Sequence, residues 1–93
     1  MKYVYPAVFN SVAEVVNVSF PDLACISQGD NYLDAFESAR EGLSLHLYGM
    51  LAEGYDLPAP SRLEDIPLEP NQALALIETE ELDDFKPDWE LEE

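Results

Sequence analysis

The sequence predicts a small α+β fold of two layers, a sheet of short strands under one long helix. Three observations predict it. Residues 2–9, KYVYPAVF, and 15–20, VVNVSF, are rich in β-branched and aromatic residues and alternate between two faces. Residues 32–50 carry apolar side chains at steps of three and four, the period of an amphipathic helix. Residues 71–80, NQALALIETE, form a last apolar run after a proline-rich stretch. With 93 residues, one domain with a thin core is expected.

In the first strand, Tyr3, Tyr5, Ala7 and Phe9 share one face, and Val4, Pro6 and Val8 the other. Pro6 has no N–H to give, so the strand lies at an edge or has its N–H side free there. Asn10 and Ser11 read as a turn, which makes the first two strands a hairpin. In the second strand, Val16, Val18 and Phe20 point to the core. Pro21-Asp22 ends it, and Cys25 to Gln28 is a short third strand closed by Gly29-Asp30.

Asn31 is a good N-cap, and Asp34 sits three residues on, where a carboxylate meets the positive helix end. Tyr32, Phe36, Ala39, Leu43, Leu47 and Met50 form the expected apolar stripe, with Leu33, Glu37, Arg40, Glu41 and Ser44 mostly opposite. Gly54 suits the C-terminal cap. Residues 55–70 hold four prolines and read as an ordered loop, partly polyproline-like. The last run, around Leu74, Leu76 and Ile77, reads as a strand buried on both faces, although 73–82 also has helical propensity. This strand is expected to return beside the first and parallel to it, by a right-handed helical crossover. The folded domain is expected over residues 1–82, with 83–93 as an acidic tail.

Four basic and twenty acidic residues give a net charge of −16. Residues 61–93 hold twelve of the acids against two basic residues. Phosphate backbones are repelled by such a chain, so direct nucleic-acid binding is not expected. A basic protein is attracted and its approach hastened. No run of about 18 apolar residues signals a membrane span. The first sixteen residues carry one lysine and are broken by Pro6, unlike a signal peptide. The single Cys25 can make no internal disulfide, which fits a reducing, cytoplasmic setting.

KYVYPAVF, then VSFPDL, then CISQGD, then a helix ending LSLHLYGMLAEG, then LPAPS, resembles the HicB-type antitoxins over roughly residues 2–82. That resemblance implies a partial ribonuclease-H-like fold of β-β-β-α-β order. It also implies a partner, a small basic HicA-type toxin that cuts messenger RNA, which the antitoxin binds and silences. Two features depart from the family pattern. Ala24 alone separates Leu23 from Cys25, so the turn is one residue short. No basic DNA-binding module follows the last strand, so the operon repression known in the family is not carried over.

A ribonuclease-H fold raises the question of catalysis, and no enzymatic activity or cofactor is expected. Such cleavage needs carboxylates converging on two divalent ions, and the first strand has none. Asp22 and Asp30 read as turn residues. His46 reads as a packed or surface helix residue, and Cys25 has no basic neighbour to lower its pKa. The expected work is binding. Glu78, Glu80, Glu81, Asp83 and Asp84 are the candidate acidic face for the toxin, with Tyr3, Tyr5, Phe85 and Trp89 as apolar anchors. The ordinary readings are a solvated surface for the acids, sheet packing for the tyrosines, and docking on their own domain for Phe85 and Trp89. A different class of function is a homo-oligomeric module without a toxin, built through open sheet edges; a homo-dimer or higher oligomer is also compatible with toxin binding and is expected beside it.

Overall fold

In the computed structural model, residues 1–83 are described. Four strands, β1 (Val4–Val12), β2 (Val15–Ser19), β3 (Ile26–Gly29) and β4 (Gln72–Glu78), form one sheet in the order β3-β2-β1-β4. A single helix, α1 (Tyr32–Ala52), covers one face, and a 3-10 turn occupies Leu63–Asp65. The expected α+β class and β-β-β-α-β order hold.

Every neighbouring pair of strands is antiparallel. β4 does lie beside β1, as expected, but runs against it, with Asn10 opposite Gln72 and Val4 opposite Glu78. The expectation of a parallel return counted one crossing of the molecule. There are two. The helix descends from the end of the sheet where β3 finishes, and the proline-rich segment then climbs back to that end. β4 therefore starts where the helix started.

The first hairpin is longer than the sequence suggested. Pairing runs on through Asn10 and Ser11 to Val12 opposite Val15, and the turn is Ala13-Glu14, with Ala13 at φ 55°. β1 is an interior strand, yet Pro6 fits it. Pairing with β2 begins only at Val8, so the N–H that Pro6 lacks has no strand facing it.

The core joins Tyr5, Ala7 and Phe9 of β1, Val16 and Val18 of β2, Ile77 of β4, and Ala35, Ala39, Leu43 and Leu47 of α1. The buried stripe of the helix is therefore one row over from the predicted one at its start. Tyr32 is 51% exposed and Phe36 40%. The reason is a close approach: a Cβ on Gly29 would fall 2.3 Å from the Ala35 backbone nitrogen, so only alanine fits the first turns against β3. The caps are as predicted at the start and more complete at the end. Asn31 Oδ1 accepts from the Asp34 N–H at 2.9 Å. Gly54, at φ 81°, lets its own N–H reach Leu51 O and the Tyr55 N–H reach Met50 O, a Schellman ending. With one helix layer, β4 is half covered rather than buried on both faces, and Leu76 is 52% exposed.

Candidate functional site

The acidic segment that leaves β4 is held by its backbone. Thr79 donates its N–H to Tyr3 O at 2.8 Å, and the Tyr3 N–H donates to Thr79 Oγ1 at 3.0 Å. The Leu82 N–H reaches Met1 O at 3.1 Å. The Glu80 N–H donates to Ser44 Oγ on the helix at 3.0 Å, and that hydroxyl donates to Arg40 O. Thr79, Ser44 and Leu82 are buried, so residues 78–83 form a fixed edge and not a loose strand end.

This arrangement settles where most of the candidate residues lie. Glu78 and Glu80, which flank buried Thr79 in the chain, are both exposed. Glu81 and Asp83 both meet the Met1 ammonium, Asp83 at 2.7 Å. Tyr3 is half-buried against the core beside them. Tyr5 is 3% exposed and lies in the core, its hydroxyl donating to Pro58 O. Sequence alternation gave Tyr3 and Tyr5 the same face but could not say that only Tyr5 lies fully under the helix. Burial, with smaller contributions from Asp22 and Tyr3, raises the Tyr5 phenol above its ordinary value of 10.0. Asp84, Phe85 and Trp89 lie outside the described residues.

A feature that sequence reasoning missed sits against the acidic edge. Met1, Tyr3, Tyr48, Leu51, Ala52, Leu82 and Asp83 line a shallow hollow of about 280 Å³. It brings the end of the helix to the N-terminus and to the segment that leaves β4, which no local motif could reveal. A second acidic surface was legible and passed over. Asp30, Asp34, Glu37 and Glu41, spaced four, three and four apart, line an open groove of about 450 Å³ between β3 and the helix. Tyr32 and Leu33 are exposed on the same first turns. The sheet face away from the helix carries an uncharged row of four amides, Gln28, Asn17, Asn10 and Gln72, paired across all four strands.

Asp22 spends both carboxylate oxygens on Ser61, accepting from its N–H and its hydroxyl. No group of three or more His, Cys, Asp or Glu side chains is placed to hold a metal among the described residues. Cys25 is buried, which pushes its thiol up from the ordinary 9.0 and away from nucleophilic use. His46 is half-buried on the helix. No helix among the described residues is long and apolar enough to cross a membrane.

A four-stranded sheet covered on one face by a helix, with a charged edge pinned by its backbone, makes a small two-layer α+β unit. The chain belongs to the HicB-like antitoxin family of bacterial toxin–antitoxin systems, whose family model matches residues 5–86. A solved toxin–antitoxin complex from Streptococcus pneumoniae contains a chain similar in fold, with TM-score 0.79 at 20% identity, covering 86% of this chain and 70% of that one. A chain of a HicA3–HicB3 toxin–antitoxin complex superposes with TM-score 0.68 at 23% identity, covering 85% of this chain and all of that one. The N-terminal domain of the Burkholderia pseudomallei antitoxin HicB gives 0.67 at 24%, covering 81% of this chain and 95% of that domain. These likenesses rest on the fold. In sequence, the chain is 36% identical over 61 residues to an uncharacterized 14.9 kDa protein from the rep-hol intergenic region of Haemophilus phage HP1 (strain HP1c1). That match covers 64% of this chain and 46% of the phage protein, so the chain spans about half the length of that relative.

Proposed function

We propose that this antitoxin neutralises a basic, HicA-type, mRNA-cleaving toxin by laying its acidic edge over the toxin's RNA-binding and active-site surface. On this reading the folded unit of residues 1–82 carries the face, residues 83–93 extend its charge, and the chain acts by occupancy rather than by catalysis. One observation carries the reading: a hollow lined by Met1, Tyr3, Leu51, Leu82 and Asp83 lies beside Glu81, which shares the Met1 ammonium with Asp83. Surface ion pairs contribute only about 0–1 kcal/mol each, so carboxylates alone would not hold a toxin at physiological salt. An apolar seat flanked by acids suits the long stem and charged head of an arginine or lysine. Tyr3 and Leu82 line the seat, and Tyr5 supports it from the core. Glu78, Glu80, Glu81, Asp83 and Asp84 supply the charge, with Phe85 and Trp89 as further anchors from the tail.

The complexes with HicA-type toxins solved for proteins of similar fold support the choice of partner. The test is titration of the cognate basic toxin with the antitoxin, read by calorimetry and by protection of an RNA substrate. The double substitution Glu80→Lys/Asp83→Lys is expected to weaken binding by about 10- to 100-fold and to release RNA cleavage. The matched pair Asp34→Lys/Glu41→Lys in the helix groove is expected to change affinity by less than about threefold. Reversal of that order would move the toxin to the helix groove, and unchanged binding in both would overturn an electrostatic seat altogether.

A further inference from the structure

We propose that the sheet face away from the helix binds an uncharged adenine nucleoside in the hollow above its row of amides. The inference does not depend on the toxin reading. Asn10, Asn17, Ser19, Ile26, Gln28 and Gln72 line most of this hollow of about 400 Å³, a size in the ordinary range of small-molecule sites. The strand register puts them there. Asn10 stands opposite Asn17 on one side and Gln72 on the other, and Asn17 stands opposite Gln28. The next row on this face pairs Ser19 with Ile26. Side chains alternate along each strand, so both rows look away from α1.

The amides carry the argument. Asn10 Oδ1 is covered from water and accepts no hydrogen bond, an unmet demand on an interior strand. Gln72 is tied the other way round. Its Oε1 accepts from the Glu69 N–H at 2.9 Å, which fixes the carboxamide and leaves Nε2 to donate. An unmet acceptor beside a fixed donor complements an edge that carries a donor next to an acceptor. Adenine presents that pair as N6–H₂ beside N7, the edge to which asparagine and glutamine carboxamides bind. The last torsion of Asn10 is broad, so its oxygen can turn out to meet N6. Ile26 is 82% exposed and gives the base an aliphatic side to lie against. Ser19, Asn17 and Gln28, all exposed, are left for the ribose hydroxyls. Charge selects a neutral ligand. Among the described residues no charged side chain lines the hollow, so nothing there offsets the desolvation of a cation. The net charge of −16 repels phosphate, so a nucleoside fits where a nucleotide does not.

The experiment is titration of the full chain with adenosine, read by calorimetry and by NMR shifts of backbone and side-chain amides. A Kd of about 0.1–1 mM is expected, with shifts at Asn10, Asn17, Gln28 and Gln72 and none at Asp34, Glu37 and Glu41. Guanosine, whose N7 and O6 are both acceptors, and purine riboside, which lacks the 6-amino group, should each bind at least about fivefold more weakly. Adenosine 5′-monophosphate should be at least about threefold weaker at low salt, the gap closing as salt screens the chain. Asn10→Ala should weaken adenosine at least about tenfold. Asn10 is half-buried in β1, so the exposed Ile26→Ala is the second variant, expected to cost about threefold or more with circular dichroism unchanged. No shift at about 10 mM adenosine overturns the proposal. So does equal binding of adenosine and guanosine, or an affinity that ignores both substitutions.

Discussion

Ala13 occupies the left-handed region, where an alanine Cβ crowds the following carbonyl at a cost of about 1–2 kcal/mol. It does so because Val12 and Val15 are paired and only two residues remain to reverse the chain. Ala13→Gly is expected to stabilise the protein by about 0.5–1 kcal/mol, read from the urea midpoint, the gain being reduced by glycine's greater freedom when unfolded. This turn has no local signature, because neither Ala13 nor Glu14 is a turn residue by chemistry, whereas Asn10-Ser11 three residues earlier is. Ser44 was equally hidden. On the helix it counts as polar and outward, but its hydroxyl closes a bond to Glu80 across 36 residues of sequence. Tyr5 gives a pH signature. Its phenol titrates higher folded than unfolded, so its share of stability is whole below the ordinary value of 10.0 and is lost as pH rises towards the folded value. Denaturation midpoints should therefore fall above pH 10 in the wild type and fall less in Tyr5→Phe, once the lost hydrogen bond to Pro58 is subtracted as a constant offset.

At the scale of elements, alternation and caps were legible and depth was not. Val16, Val18 and Phe20 point inward as their spacing says, and Asn31 begins the helix as its side chain allows. The helix stripe was misplaced at its start because hydrophobicity ranks Tyr32 and Phe36 above Ala35. The packing ranks them by size instead, since the helix backbone rides close over Gly29. Gly29→Ala is expected to cost about 1–3 kcal/mol, because the new methyl meets backbone that cannot step aside. For a domain of this size each kcal/mol lowers the thermal midpoint by roughly 4–8 °C, so calorimetry reads it easily. The direction of β4 was out of reach for another reason. A proline-rich loop has no periodicity, so nothing local says that it spans the length of the sheet rather than closing a short turn.

Across the whole molecule, charge was the property the sequence stated most plainly, and its geometry the least. Twenty acids could be counted, but their division into a pinned edge at residues 78–83 and a helix groove at Asp30, Asp34, Glu37 and Glu41 needed the fold. The same folding ties Met1 to Glu81, Leu82 and Asp83 at one end of the sheet. An affinity handle or fluorophore attached before Met1 would thus remove the ammonium from its two carboxylates and stand in front of the surface under study. Insertion at Ala13-Glu14, about 27 Å away along β1, would leave that surface clear. Binding data gathered with an N-terminal handle should be compared with data from such an internally labelled protein before any acid is ranked.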